Sequence, residues 1–168
     1  EVLLGDELKW GNTQLAGLGD YVWEDTDADG QQDEVGTGIN GATVTLKADL
    51  DNNGSFETTV GSTVTADNPH LAGTQDGYYE FLNLTPGVKY QVTFSTPAGY
   101  TNVSPRQSDA NPASGSNSDG LVSDTIVLSS GEFNPTIDSG FYKTAGLGDY
   151  VWEDKNANGL QDDGATGI

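Results

Sequence analysis

The ten residues AGLGDYVWED stand at 16–25 and return letter for letter at 145–154. Extended to the GTGI at 36–39 and the ATGI at 165–168, the two 24-residue segments agree at 17 positions, at a constant offset of 129 and without a gap. Such a repeat divides the chain into one whole structural unit, about 17–142, and the first strand and loop of a second, incomplete one at 145–168. Residues 1–16, EVLLGDELKWGNTQLA, match no part of the repeat and read either as the end of a preceding unit or as an arm. With no initiating Met and a second copy that stops at Ile168, the sequence reads as a processed or partial product of something longer.

Inside the whole unit the pattern is of strands. LGDYVW (18–23), ATVTLKA (42–48), FETTVGSTVTA (56–66), YYEFLNL (78–84), VKYQVTFS (88–95), DTIVLSS (124–130) and IDSGFY (137–142) are rich in Val, Thr, Tyr and Phe, residues that fit a pleated, half-buried surface. Val44/Leu46, Tyr79/Phe81, Tyr90/Val92/Phe94 and Ile126/Leu128 fall at spacing two and are the predicted core. Pro86–Gly87, Pro97–Ala98–Gly99 and Asn53–Gly54 punctuate the runs as turns. About seven such strands predict an all-β, antiparallel Greek-key sandwich of the Ig-like or prealbumin-like kind. The polar stretch 101–123 is too long for a plain connection in a compact domain, so it is either mobile or tied down.

Charge narrows the function classes. Lys and Arg number 6 against 26 Asp and Glu, a net −20, and this excludes the basic footprint that nucleic acids or anionic membranes require. The absence of Cys removes disulfides, thiolate nucleophiles and Cys-based zinc sites. No apolar run is long enough to span a bilayer, and the start lacks the regions of a signal peptide.

The acids are concentrated in loops. DTDADGQQD at 25–33 places Asp25, Asp27 and Asp29 at positions 1, 3 and 5, Gly30 at 6, the Gln31 carbonyl at 7 and Asp33 at 9. That is the first three-quarters of an EF-hand-type loop, whose alternate residues converge because Ca²⁺ takes six to eight oxygens at short range. The twin loop DKNANGLQD at 154–162 keeps oxygen donors at the same places: Asp154, Asn156, Asn158, the Leu160 carbonyl and Asp162. A hard cation tolerates such exchange of one oxygen donor for another, and with two carboxylates fewer this loop is the weaker binder. DLDNNGSFE at 49–57 repeats the arrangement with Asp49, Asp51, Asn53, the Ser55 carbonyl and Glu57; it sits between two strand-like stretches, and the competing reading is an ordinary hairpin containing Asn53–Gly54. In the long loop, Asp109, Asn117 and Asp119 read either as a further site, as ligands reaching back to an existing ion, or as plain polar loop residues.

The order LGDYVWED, DxDxDGxQD, GI, GATVTL, DGYYEFLNLTPGVKYQVTF, TPAGY, NSDG and DSGFYK resembles the B domains of serine-aspartate-repeat surface adhesins, a branch of the collagen-adhesin B-type sandwiches. The resemblance covers 17–142 wholly and 145–168 as an opening. It implies an extracellular β-sandwich strung in tandem on a bacterial surface protein and stiffened by Ca²⁺, a stalk or spacer for an adhesive tip. Carried over by position, its calcium residues are Asp25, Asp27, Asp29, Gln31 and Asp33, with Asn117 and Asp119 matching a distal Asp-Ser-Asp element. The family's acid at loop position 12 is Gly36 here and Ala165 in the second copy, which leaves Glu34 or Asp163 at position 10, or a distant residue, as the late ligand. The Lys–Asn isopeptide bond of related sandwiches is not expected, because 18–23 holds no Lys and 136–142 no Asn.

A calcium-stabilised structural module is therefore the leading expectation, with neighbouring repeats of the same chain or identical chains as partners. One alternative is an adhesion module for a host protein or glycan, using Trp10, Tyr78 or Tyr100; another is a fibre subunit assembled by strand exchange between chains. An enzyme is not expected: the carboxylates lie in metal-loop spacing, and His70 stands alone in its loop.

Overall fold

The computed structural model describes residues 12–107, 117–164 and 167–168. Trp10 and most of the segment 1–16, Asp109 and Ala165 lie outside the described residues.

Among the described residues nine strands form two sheets. β1 (Ala16–Glu24), β4 (Tyr78–Leu84), β6 (Asn102–Val103), β8 (Phe133–Asn134) and β9 (Ser139–Tyr142) make one, in the order β4-β1-β9-β6 with β8 also on β1. β2 (Thr43–Asp49), β3 (Thr58–Val64), β5 (Lys89–Phe94) and β7 (Ile126–Val127) make the other, in the order β3-β2-β5-β7. The inner faces pack together by strict alternation. Val44, Leu46 and Ala48 of β2 meet Tyr90, Val92 and Phe94 of β5, opposite Leu18, Val22, Tyr79, Phe81 and Phe141 of the first sheet. Tyr79 stands at the centre, edge-on to Phe81 and Phe94 at 5.9 and 5.7 Å between ring centroids, and its hydroxyl donates to the Ile137 carbonyl at 2.6 Å. A buried Tyr needs such a partner for its polar end.

All seven expected runs contain a strand. β6 and β8 are two-residue additions that periodicity does not show, and β6 lies inside the stretch read as loop. Most pairings are antiparallel, but β1 runs parallel to both β8 and β9, with Val22 opposite Ser139 and Glu24 opposite Phe141. The first and last strands of the unit therefore finish at the same end. β1 and β4 approach so closely that a Cβ on Gly19 would stand 2.3 Å from the Tyr79 carbonyl oxygen, so a side chain there is excluded whatever its chemistry.

The second copy of β1 behaves differently. Residues 145–151 form no strand, and Leu147, Tyr150 and Val151 are 105%, 74% and 69% exposed where Leu18 and Val22 are fully buried. An identical sequence is a strand only where β4, β8 and β9 supply its hydrogen bonds, which is tertiary context overriding local preference.

Candidate metal centre

β1 ends by delivering Asp25 into the first acidic loop, fully buried. Its Oδ2 accepts from Gly30 N at 2.9 Å and its Oδ1 from Asp29 N at 3.3 Å, while Asp29 Oδ1 accepts from Gln31 N at 2.7 Å. The backbone coils round the first carboxylate with Ala28 at φ 61° and Gly30 at φ 84°. Asp25, Asp27 and Asp29 each bring one carboxylate oxygen within 4.8 Å of the others. Partial desolvation, followed by the charges of Asp29, Asp25 and Asp33, raises the Asp27 carboxyl above its ordinary value; a divalent cation would relieve that repulsion. Three convergent oxygens held by their own backbone suit a hard cation. Asp33 is exposed and stands outside this three-carboxylate group.

The other two loops repeat the geometry bond for bond. In 49–57, Asp49 accepts from Gly54 N at 2.9 Å and Asn53 N at 3.0 Å, and Asn53 Oδ1 accepts from Ser55 N at 2.7 Å. In 154–162, Asp154 accepts from Gly159 N at 2.8 Å and Asn158 N at 3.2 Å, and Asn158 Oδ1 accepts from Leu160 N at 2.7 Å. Positions 4 and 6 have positive φ in both, at Asn52 (59°) and Gly54 (92°), and at Ala157 (58°) and Gly159 (76°). β2 and β3 do pair as an antiparallel hairpin around this loop, with Ala48 opposite Thr58, but its turn is not a two-residue I′ turn at Asn53–Gly54, which would need positive φ at both residues. Asp49 feels burial opposing its ionisation, but the Gly54 and Asn53 N–H groups, with Asp51 and Lys89, outweigh it and hold the carboxyl below its usual value. Asp154 is lowered chiefly by Gly159 N–H. Ser55, Glu57, Leu160 and Asp162 are exposed, and Asp162 accepts from Asn158 Nδ2 at 3.2 Å.

Among the described residues only the first loop is roofed by the rest of the sandwich. Ser118 N donates to the Gly30 carbonyl at 2.8 Å, Gln107 Nε2 to the Asp29 carbonyl, and Gln31 forms a bridge with Asn117. A Cβ on Gly30 would stand 2.3 Å from the Pro105 carbonyl oxygen. Of the two distal residues, Asn117 is thus brought against the loop. Asp119 turns to β9, where its Oδ2 accepts from Asp138 N at 3.0 Å and Arg106 stands 3.8 Å from Oδ1.

Position 10 acts as a staple. Glu34 Oε1 accepts from both Thr26 N and Thr26 Oγ1, and Asp163 Oδ2 accepts from Lys155 N at 2.9 Å, so each acid ties the end of its loop to the second residue. Sequence reasoning missed this role, and it missed Gln107 and Ser118, which lie about 80 residues from the loop they cover. His70 Nε2 sits 3.1 Å from the Glu80 carboxylate and packs edge-on to Tyr78, whose hydroxyl also donates to Glu80. Tyr100 donates to Glu24 Oε2 at 2.7 Å.

The SdrD B-like domain profile matches residues 16–141. Serine-aspartate repeat-containing protein D of Staphylococcus aureus (strain Newman) is 47% identical over 152 residues, which are 90% of this chain and 10% of that protein. Serine-aspartate repeat-containing protein F of Staphylococcus epidermidis (strain ATCC 12228 / FDA PCI 1200) is 44% identical over 153 residues, 90% of this chain and 8% of that protein. The chain thus spans a tenth or less of the length of these curated relatives.

Proposed function

This chain belongs to the SdrD B-like domain family, and on that premise we propose that it is a non-catalytic structural repeat of an extracellular, cell-surface protein, stiffened by Ca²⁺. The observation that carries the reading is the threefold recurrence of one loop geometry, with the first loop buried at its root and roofed by Pro105, Gln107, Asn117 and Ser118. Asp25, Asp27 and Asp29 hold the ion there, with Asn117 alongside; Asp49, Asp51 and Asn53, and Asp154, Asn156 and Asn158, hold it less tightly. Bound to the folded state alone, an ion at a hundred times its Kd adds roughly 2.7 kcal/mol. The first two loops lie where β1 and β2 end, so an ion there stiffens an end of the unit. Among the described residues no helix is long and apolar enough to cross a membrane.

The partner in this reading is a neighbouring repeat. Exchange with an identical chain is the weaker form. An incoming copy of 145–153 would have to displace β1 and would gain no contact that β1 does not already make, while the tethered strand keeps the advantage of effective concentration.

A thermal melt with Ca²⁺ and with chelator tests the proposal. Chelation is expected to lower Tm by several degrees, and identical melts would rule out metal stiffening.

A further inference from the structure

The chain leaves the sandwich at Lys143 and is not slack there. Lys143 Nζ lies 3.0 and 3.1 Å from the two oxygens of Glu24, the last residue of β1, and 4.5 Å above the Tyr100 ring. The Tyr100 hydroxyl donates to the same carboxylate at 2.7 Å, and its ring stands edge-on to buried Phe141, 6.4 Å between centroids. Asn102 Nδ2 adds a bond to Thr144 Oγ1 at 3.0 Å. An exposed ion pair by itself fixes little. Here the carboxylate is held by two donors, and the ammonium by a carboxylate and an aromatic face, so the side chains determine one another's positions.

The repeat offset of 129 makes Lys143 the counterpart of Gln14, each two residues before Ala-Gly-Leu-Gly-Asp-Tyr-Val-Trp. Gln14 is held through its backbone, at the other end of the same unit. Its N–H donates to Ser130 Oγ at 2.8 Å and its carbonyl accepts from Gly131 N at 3.2 Å. The same repeat position is therefore gripped by side chain in the unit it leaves and by backbone in the unit it enters. The two hydrogen-bonded grips use different atoms, side chain in one and backbone in the other; the Gln14 side chain also lies over Gly131, a contact that a residue pinned to the preceding unit gives up.

We propose that position 143 is a shared pin between successive units, its side chain locked by Glu24 and Tyr100 and its backbone available to the following unit's counterpart of the Ser130–Gly131 turn. The inference rests on the reading of the chain as a tandem stalk module and names the contact surface of that module. A residue held from both sides shortens the free linker between successive units.

The side-chain half of the pin is tested on the full chain, which has no native Cys, spin-labelled through Thr59→Cys and Ala145→Cys, the residue directly after the Thr144 that Asn102 holds. A narrow distance distribution by pulsed electron resonance is expected in the parent and in Lys143→Arg. Its width should at least double in Lys143→Ala and Glu24→Gln, with or without chelator. A broad parent distribution, or one that these variants leave unchanged, overturns the proposal. Compatibility of the two grips is read from Gln14→Lys, which is expected to keep Tm within about 3 °C of the parent and to keep the Gly131 amide protected from exchange; loss of that protection would sink the shared pin. Failure of the metal reading shows separately, as a melt that ignores chelator.

Discussion

Asp20 of β1 and Asp138, the residue before β9, face each other through their carboxyl groups. Asp138 is fully buried, with Oδ1 accepting from Tyr21 N at 3.1 Å. Among the described residues its Oδ2 has no hydrogen-bond partner, and the neighbouring Asp20 carboxyl can offer it a donor only when the pair holds a proton. Burial raises both, Asp138 well above its usual value and Asp20 to about 7.

Between the ordinary Asp range near 4 and about 7, the folded state binds more protons than the unfolded chain, so this pair's contribution to stability falls as pH rises. Melts in chelator should give a lower Tm at pH 8 than at pH 5.5. Asp20→Asn supplies an N–H donor without a proton and should flatten the slope, raising Tm at pH 8 by roughly a few degrees. Asp49 and Asp154, whose carboxyls are lowered, act only below pH 4 and lie outside this window. A slope that Asp20→Asn leaves intact would assign the effect elsewhere.

The two copies of one sequence give a paired test of context. Gly19→Val sets a side chain 2.3 Å from the Tyr79 carbonyl oxygen and 2.8 Å from Glu80 Cα. Backbone on both sides of the β1–β4 ladder cannot yield, and a loss of about 3 kcal/mol or more is expected in urea unfolding. Gly148→Val, at the same place in the second copy, meets nothing within 4 Å and should leave the midpoint where it is. Equal effects would mean that 145–154 shares the environment of β1.

The same pair of segments explains what the sequence could and could not disclose. Val44, Leu46, Tyr90, Val92 and Phe94 were identifiable as core because alternation is a local signal of a half-buried sheet. The acidic loops were identifiable for a related reason: an Asp that caps the next N–H groups builds its turn from nearby residues, so the geometry recurs in 154–162 although the strand before it is absent. Strand β1 itself is not local. Ala16–Glu24 and 145–153 are the same letters in different states, and the difference lies in Tyr78–Leu84 and Ser139–Tyr142. The parallel pairing of β1 with β9, the Asp20–Asp138 contact and the Gln107 and Ser118 roof likewise join residues about 80 to 120 positions apart, beyond the reach of spacing or periodicity.

Replacing the first carboxylate of each loop separates scaffold from metal. Asp25→Ala removes the acceptor of Gly30 N and Asp29 N in a buried place, which costs about 1–3 kcal/mol even in chelator. Asp154→Ala removes the equivalent acceptor in an exposed loop that carries no strand of the sandwich, so its melt in chelator should match the parent. Asp49→Ala belongs between them: its carboxylate is buried, but the loop beyond it is open to water. Calcium then adds the second axis. Each variant should lose one site in a calorimetric titration, and only Asp25→Ala should lose most of the calcium-dependent rise in Tm, because among the described residues that loop alone is tied to Gln107 and Ser118, and through Ser118 to Gly140 of β9. If Asp154→Ala abolished the rise as fully as Asp25→Ala, the roofed loop would not be the one through which the ion stabilises the fold.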